Sequence, residues 1–363
     1  MTAAEMPLVP PAAQTPAATL IGLVQRFSPS GQEPAAVEWL VQRMQALGFE
    51  RAFADTAGNA VGIKGRGPRQ VVLLGHIDTV PGQIPVRVEG DRLYGRGSVD
   101  AKGPLAAFVD AAANVPPPDG WQLVVVGVCD EERDSLGARH AVGQYAPQYA
   151  IIGEPSQWQR VTLGYKGSAW AGLSLRRTLA HTASQAESAC EAAFQCWRSI
   201  QDWAQSFNAG RERNFEQASP TLRAFQSGED GFEGWASLRV GMRLPPGFTP
   251  ADWYAQLRQI AGDAQVEPLG FPVPAYQGEK NNPLVRAFLS GIRQAGGKPG
   301  FVLKSGTADI NILAPAWGCP AVAYGPGDSA LDHTPDEHIQ LSEYAQAVGV
   351  LQAVLVQLTQ EAS

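Results

Sequence analysis

Apolar residues recur at three- and four-residue spacing from Thr15 to Phe27, and again from Glu33 to Leu47, where Val37, Leu40, Val41, Met44 and Leu47 share one side. That period predicts two amphipathic helices, parted by the turn-forming Ser28-Pro29-Ser30-Gly31, the second closed by Gly48. The run Val71-Val72-Leu73-Leu74 is continuous rather than alternating, as in a strand buried on both faces, and Leu123 to Val128 repeats it with β-branched residues. A helical stretch from Lys102 to Ala113 lies between them. Buried strand, helix, buried strand predicts an α/β fold, with a parallel or mixed central sheet flanked by helices.

From about Gly167 the pattern changes. Short alternating strands, Ala169 to Leu175 and Trp235 to Arg243, enclose a helix from about Ala183 to Ser206, and a second helix runs from Pro250 to Ala261. Beyond Tyr276 the first texture returns, with a helix at Pro283 to Ala295, the loop Lys304 to Asp309, the apolar segment Ala321 to Tyr324 and a last helix from Ser342 to Thr359. The division this predicts is a tail at 1–14, a discontinuous catalytic domain at 15–166 plus 276–363, and a smaller α+β domain inserted at 167–275. The tail is rich in Pro and Ala without a period, and nothing catalytic is expected there.

Composition narrows the function. At roughly 150 residues per domain, 363 residues suit about two domains with a sizeable core. Apolar residues make up 44% and charged ones 17%, the balance of a globular chain. With 28 Lys+Arg against 35 Asp+Glu, the formal charge of −7 argues against a nucleic-acid binder that relies on a basic face. No apolar run reaches the ~20 residues of a membrane span, and the N-terminus lacks a basic region followed by an apolar one, so a cytoplasmic protein with no membrane partner is expected. Cys129, Cys190, Cys196 and Cys319 form no C-x-x-C pair and read as reduced packing residues.

Five phrases carry the chemistry. Gly75-His76-Ile77-Asp78 stands where a buried strand ends, and in an open α/β sheet functional groups gather beyond the carboxyl ends of the strands. His76 offers an imidazole to a metal, and Asp78 could hold its other ring nitrogen, although most such pairs are satisfied strand ends. The glycine-rich Tyr94–Gly103 has no phosphate-loop spacing; its Asp100 reads either as a helix cap or as a carboxylate able to bridge two cations. Asp130-Glu131-Glu132-Arg133-Asp134 follows a buried strand, where two glutamates can diverge, one to a metal and one to a water, though acidic runs are commonly solvated surface. Glu154 follows the apolar pair Ile151-Ile152, and Asp332-His333-Thr334 adds a second imidazole. Together, two histidines and three carboxylates from separate strands and loops form an N/O set suited to zinc, or to cobalt or manganese by substitution. Two such cations would polarise a carbonyl and acidify water toward a pKa of ~7. A carboxylate off the metal could then carry the proton to a leaving amine, and amide hydrolysis is the expected reaction.

In these phrases and their order the chain resembles the dinuclear-zinc amidohydrolases and peptidases that include acetylornithine deacetylase, succinyl-diaminopimelate desuccinylase, aminoacylase and glutamate carboxypeptidase. The likeness runs from about Pro29 to the C-terminus. It implies two zinc ions held by His76, Asp100, Glu132, Glu154 and His333, with Asp100 bridging, His76 and Glu154 on one ion and Glu132 and His333 on the other. It makes Glu131 the general base and Asp78 the partner of His76. It implies that the inserted domain is a ferredoxin-like lid and homodimerisation surface, with His181 reaching the neighbouring subunit's site to stabilise the oxyanion. Arg243, with Ser305, Gly306 and Thr307, would bind substrate, the arginine through a carboxylate. His140 and His338 match no metal position.

Within the family, Gly97–Leu105 and Lys304–Asp309 look most like the branch of lysine biosynthesis that uses an acidic amino-group carrier protein. That likeness implies release of lysine, or ornithine, from the γ-carboxylate of the carrier's C-terminal glutamate. The charge of −7 stands against such a partner unless basic residues such as Arg211, Arg213 and Arg223 are grouped on the docking face. The alternative is an acetylornithine or acetyl-lysine deacetylase acting on a free small molecule. A non-catalytic relative would be expected to have lost the base, and Glu131 is present.

Overall fold

The computed structural model describes residues 17–181 and 183–360, so the tail at 1–14 lies outside the described residues. The chain divides into two units. One takes residues up to Leu163 with Gly278–Val302 and Leu313 onward; the other takes Gly164–Gln277 and Leu303–Ile312.

The first unit is built on a mixed sheet. In spatial order its strands are Arg51–Ala54, Ala60–Lys64, Trp121–Val128, Arg69–His76, Tyr149–Gly153, Ala321–Tyr324 and the strand that begins at Arg160. The inner four, from Trp121–Val128 to Ala321–Tyr324, run parallel, and antiparallel neighbours close the sheet on both sides. The continuous apolar runs are the parallel strands: Val71 to Leu74 and Leu123 to Val126 have no exposed surface. Helix Pro34–Ala46 covers Ala60–Lys64 and ends as the sequence predicts, with the Gly48 amide on the Gln45 carbonyl at 3.0 Å and the Phe49 amide on that of Met44 at 3.1 Å. Gly48 has φ +79°, the left-handed geometry that this closure requires.

Three glycines set the depth of one end of the sheet. Gly75 pairs in register with Gly127 on one side and Gly153 on the other. A Cβ on Gly127 would meet Leu105 at 3.2 Å, and one on Gly153 would meet Phe108 at 3.0 Å. The bare row therefore lets helix Lys102–Asn114 lie close against the strand ends, which brings the loop before that helix over the same edge. Helices Ala18–Val24 and Leu341–Gln360 pack against Lys102–Asn114 in turn.

The second unit runs strand Gly167–Thr178, helix Ala189–Asn208, strands Ser219–Glu229 and Glu233–Leu244, helix Pro250–Ala261 and strand Gln265–Val273. This β-α-β-β-α-β order, folded as one antiparallel sheet with Gly167–Thr178 and Glu233–Leu244 in the centre, is the ferredoxin-like pattern. Ala169, Ala171, Leu173 and Leu175 alternate into a core shared with Cys196 and Ile200 of the first helix and Trp253 and Leu257 of the second. The first helix begins later than the periodicity implies, because Ser188 accepts the Glu191 amide while the Glu191 carboxylate accepts the Ser188 amide. The four cysteines are free, and among the described residues no helix is long and apolar enough to cross a membrane.

Candidate active site

Parallel strands in register deliver their next residues to one edge. His76 ends its strand opposite Val128, so the turn at Asp130–Ser135 and the residue after Gly153, Glu154, emerge beside it. Asp130, at φ +70°, starts that turn, and its carbonyl accepts the Ser135 amide at 2.7 Å. The acidic run is thus folded back over the sheet edge, and is not a solvated face.

Asp78 organises this corner. Fully buried, it accepts the Glu131 amide on Oδ1 and the Glu132 amide on Oδ2, each at 3.1 Å, and the Ser30 hydroxyl at 2.6 Å. Its backbone carbonyl lies 3.0 Å from His76 Nδ1, which turns Nε2 outward. Burial works against the charge of Asp78, but His76, Ser30 and the Glu132 amide together hold its carboxyl below the usual range.

Asp100 lies between the two imidazoles. Its Oδ1 is 3.1 Å from His76 Nε2 and its Oδ2 is 3.0 Å from His333 Nε2, which is also 3.0 Å from Glu132 Oε1. Ligand atoms of His76, Glu131 and Glu132 fall within 4.8 Å of one another, as do those of Asp100, Glu132 and His333. Glu154 is 8% exposed at the neighbouring strand end and belongs to neither group. The set is strongly anionic. Burial disfavours a charged His76, yet Asp100, Asp78 and Glu131 push its pKa well up. Hydrogen bonds to Asp100 and Glu132 carry His333 to about 10. Burial would raise Asp100, but the two imidazoles hold it far below the usual carboxylate range. Burial raises Glu132. Without a cation the imidazoles retain protons to balance the carboxylates, so the cluster fits divalent metal in both charge and donor type.

Residues that carried no role in the sequence reading hold this arrangement. Glu337 accepts the Val99 and Asp100 amides on Oε1, at 2.9 and 3.1 Å, and Arg96 Nη1 on Oε2 at 2.8 Å. Lys102 is fully buried, with Nζ on the Arg26 carbonyl at 2.6 Å, and burial pulls its pKa down to about 7 against the attraction of Asp78 and Glu337. Arg96 and Lys102 stand in the phrase that contains Asp100, and Glu337 follows His333 by four residues; Ser30 reads as a turn former only.

In the second unit Arg243 donates to the Thr307 hydroxyl, which reaches the Lys166 carbonyl at 3.4 Å. Lys166 Nζ is bound to the Asn214 carbonyl at 3.1 Å and the Ser219 hydroxyl at 2.9 Å, and burial, then Arg243, lowers its pKa to about 8. Ser305 and Gly306 precede Thr307 on the same loop. His181 is exposed, with Nδ1 accepting the Ala183 amide at 3.1 Å. Arg211 lies over the Phe207 ring and Arg213 pairs with Glu216 at 3.7 Å; both are exposed, as is Arg223. In the first unit, His140 sits 3.4 Å from the Thr56 hydroxyl, and the His338 ring lies 4.8 Å from that of Tyr94, tilted by 33°.

The fold is that of solved metallopeptidases. A metallo-carboxypeptidase of the M20 family from Sulfolobus solfataricus superposes with a TM-score of 0.76 at 18% identity, over 94% of this chain and 98% of that one. The aminopeptidase PepT of Bacillus cereus follows at 0.74 and 16%, over 94% and 97%. In sequence the chain is 42% identical over 337 residues to the LysW-lysine hydrolase of Deinococcus radiodurans, covering 91% of this chain and 93% of that protein. It is 30% identical over 335 residues to the LysW-lysine/LysW-ornithine hydrolase of Sulfurisphaera tokodaii, covering 89% and 90%. The pattern of peptidase family M20/M25/M40 matches residues 72–357. That match takes in every strand end of the sheet edge described above, and the chain belongs to peptidase family M20/M25/M40.

Proposed function

We propose that the protein is a cytoplasmic, two-zinc amidohydrolase that frees lysine, or ornithine, from the γ-carboxylate of the C-terminal glutamate of an acidic carrier protein. The observation that carries the reaction type is the Asp100 carboxylate, one oxygen toward His76 and the other toward His333, with Glu131 beside them. The substrate is read from the relatives named LysW-lysine and LysW-lysine/LysW-ornithine hydrolase.

In this reading His76 and Glu154 would hold one ion and Glu132 and His333 the other, with Asp100 shared between them; cobalt or manganese could substitute. Bound there, the ions supply carbonyl polarisation and the acidification of water. Glu131 takes a proton from the attacking water as the carbon–oxygen bond forms, and gives it to the α-amine as the carbon–nitrogen bond breaks. Asp78 fixes the tautomer and aim of His76. The second unit acts as a lid and homodimer surface, His181 donates to the oxyanion of the partner subunit's substrate, and Arg243, Ser305, Gly306 and Thr307 receive the leaving amino acid.

A second reading, deacetylation of free Nα-acetyl-ornithine or Nα-acetyl-lysine, is favoured by the charge of −7, which repels an acidic carrier. Zinc- or cobalt-supplemented hydrolysis decides between them, comparing the lysine-loaded carrier with both acetylated amino acids under chelator control. Chelator-sensitive release of lysine from the carrier alone supports the first reading; preference for the acetylated amino acids replaces it with the second.

A further inference from the structure

Beside the catalytic carboxylates lies a cavity of about 460 Å³, within the size range of small-molecule sites. Phe27, Pro29 and Pro81 give it apolar walls, Gln32 and Gln83 bring amide groups, and Glu132 and Arg133 close the end toward the metal-ligand cluster. Glu132 is already committed to His333, at 3.0 Å. Arg133 is the cation in the lining. Its Nη2 rests on Asp130 at 2.5 Å, and the Asp130 side chain is only 5% exposed, whereas that of Arg133 is 56% exposed. A buried carboxylate thus holds one nitrogen of a planar guanidinium that is itself more than half exposed and lines the cavity.

Resting on the proposed function, the substrate carries three charges near its scissile amide. The acyl side has the free α-carboxylate of the C-terminal glutamate, on a Cα that two methylenes separate from the reacting carbonyl. The leaving side has the α-carboxylate and the side-chain ammonium of the amino acid. In the proposed function the leaving amino acid's carboxylate goes to Arg243, and its ammonium would meet Arg133 as a like charge, so the leaving side does not suit this cavity. The acyl side does: its methylenes match the proline and phenylalanine walls, its carboxylate matches the guanidinium, and the glutamines can hydrogen-bond the carrier's last peptide groups. We propose that this cavity is the acyl subsite and that Arg133 binds the free α-carboxylate of the carrier's terminal glutamate. Selectivity for a glutamyl over an acetyl group then originates in the first unit, at a residue adjacent to a metal ligand.

The test uses the full-length enzyme and two carrier conjugates that differ in one group, the terminal glutamate α-carboxyl being either free or a primary amide. Wild-type enzyme is expected to prefer the free acid by 10-fold or more in kcat/KM, mainly through KM. Arg133→Met should abolish that preference and Arg133→Lys should recover part of it. The full preference persisting in folded Arg133→Met, or wild-type enzyme cleaving both conjugates equally well, overturns the subsite while leaving the proposed function standing. Wild-type enzyme that cleaves neither conjugate yet cleaves Nα-acetyl-lysine overturns the proposed function, and the subsite with it. Should Arg133→Met not fold, Arg133→Lys carries the test alone, and an undiminished preference in it counts against the subsite.

Discussion

Arg96 and Glu337 form a buried ion pair, Nη1 to Oε2 at 2.8 Å, with side chains 7% and 1% exposed. Through it the loop that carries Asp100 is tied to the loop that carries His333, since Arg96 Nη1 also reaches the Thr334 carbonyl at 3.2 Å and Nε the Gly82 carbonyl at 2.9 Å. Arg96→Met leaves a buried carboxylate without its counter-charge and should cost about 3–5 kcal/mol in denaturant unfolding. A loss below about 1 kcal/mol would mean that water replaces the guanidinium.

Glu131→Gln keeps the size of the side chain but removes the proton acceptor. Metal content should be retained while kcat falls by about 10²-fold or more, if this residue moves the proton. Metal analysis alongside steady-state kinetics checks both halves, and near-normal turnover would remove Glu131 from the role of base.

Asp78→Ala deprives three donors of their acceptor: the Ser30 hydroxyl and the Glu131 and Glu132 amides. Metal affinity should fall by about 10–100-fold, as when a group that orients a ligand is lost. Ser30→Ala, which removes one of the three, should do much less. Competition titration with a chromophoric chelator reads the order directly.

Metal-free protein should show a stability window in pH. His333 has its pKa raised in the fold from 6.5 to about 10, so its contribution is complete below about pH 6.5 and is lost as pH rises toward 10. Asp100 is lowered from 3.8, so its contribution is present above that value and is lost as pH falls further. Thermal unfolding in chelator should therefore be highest between about pH 4 and 6.5 and decline on the alkaline side, whereas metal-loaded protein should hold its Tm through that alkaline decline. Equal alkaline slopes with and without metal would contradict the charge balance of the cluster.

The sheet's core was legible because parallel strands such as Val71–Leu74 and Leu123–Val128 bury both faces and so read as unbroken apolar runs. Ser219–Glu229 and Gln265–Val273 went unseen because both are edge strands with much of their surface exposed, so no clean alternation is written into them. Helix Ile310–Trp317 was obscured by Pro315 within it. At the site, His76, Asp100, Glu132 and His333 were legible as chemistry, and the structure joins them in one hydrogen-bonded chain. The supports were not. Glu337 and Ser30 act through contacts to residues more than 40 positions away, and no local period records such a contact.

The order of these site residues along the chain imposes a schedule. His76, Asp100, Glu131, Glu132 and Glu154 all leave the ribosome before the whole of Gly164–Gln277 is made, and His333 follows only after it. At ~5–20 residues per second the emerging acidic cluster waits on the order of ten seconds or more for its second imidazole. The group formed by Asp100, Glu132 and His333 therefore closes only in a nearly finished chain, and an interrupted translation product carries His76 and the carboxylates without the second imidazole.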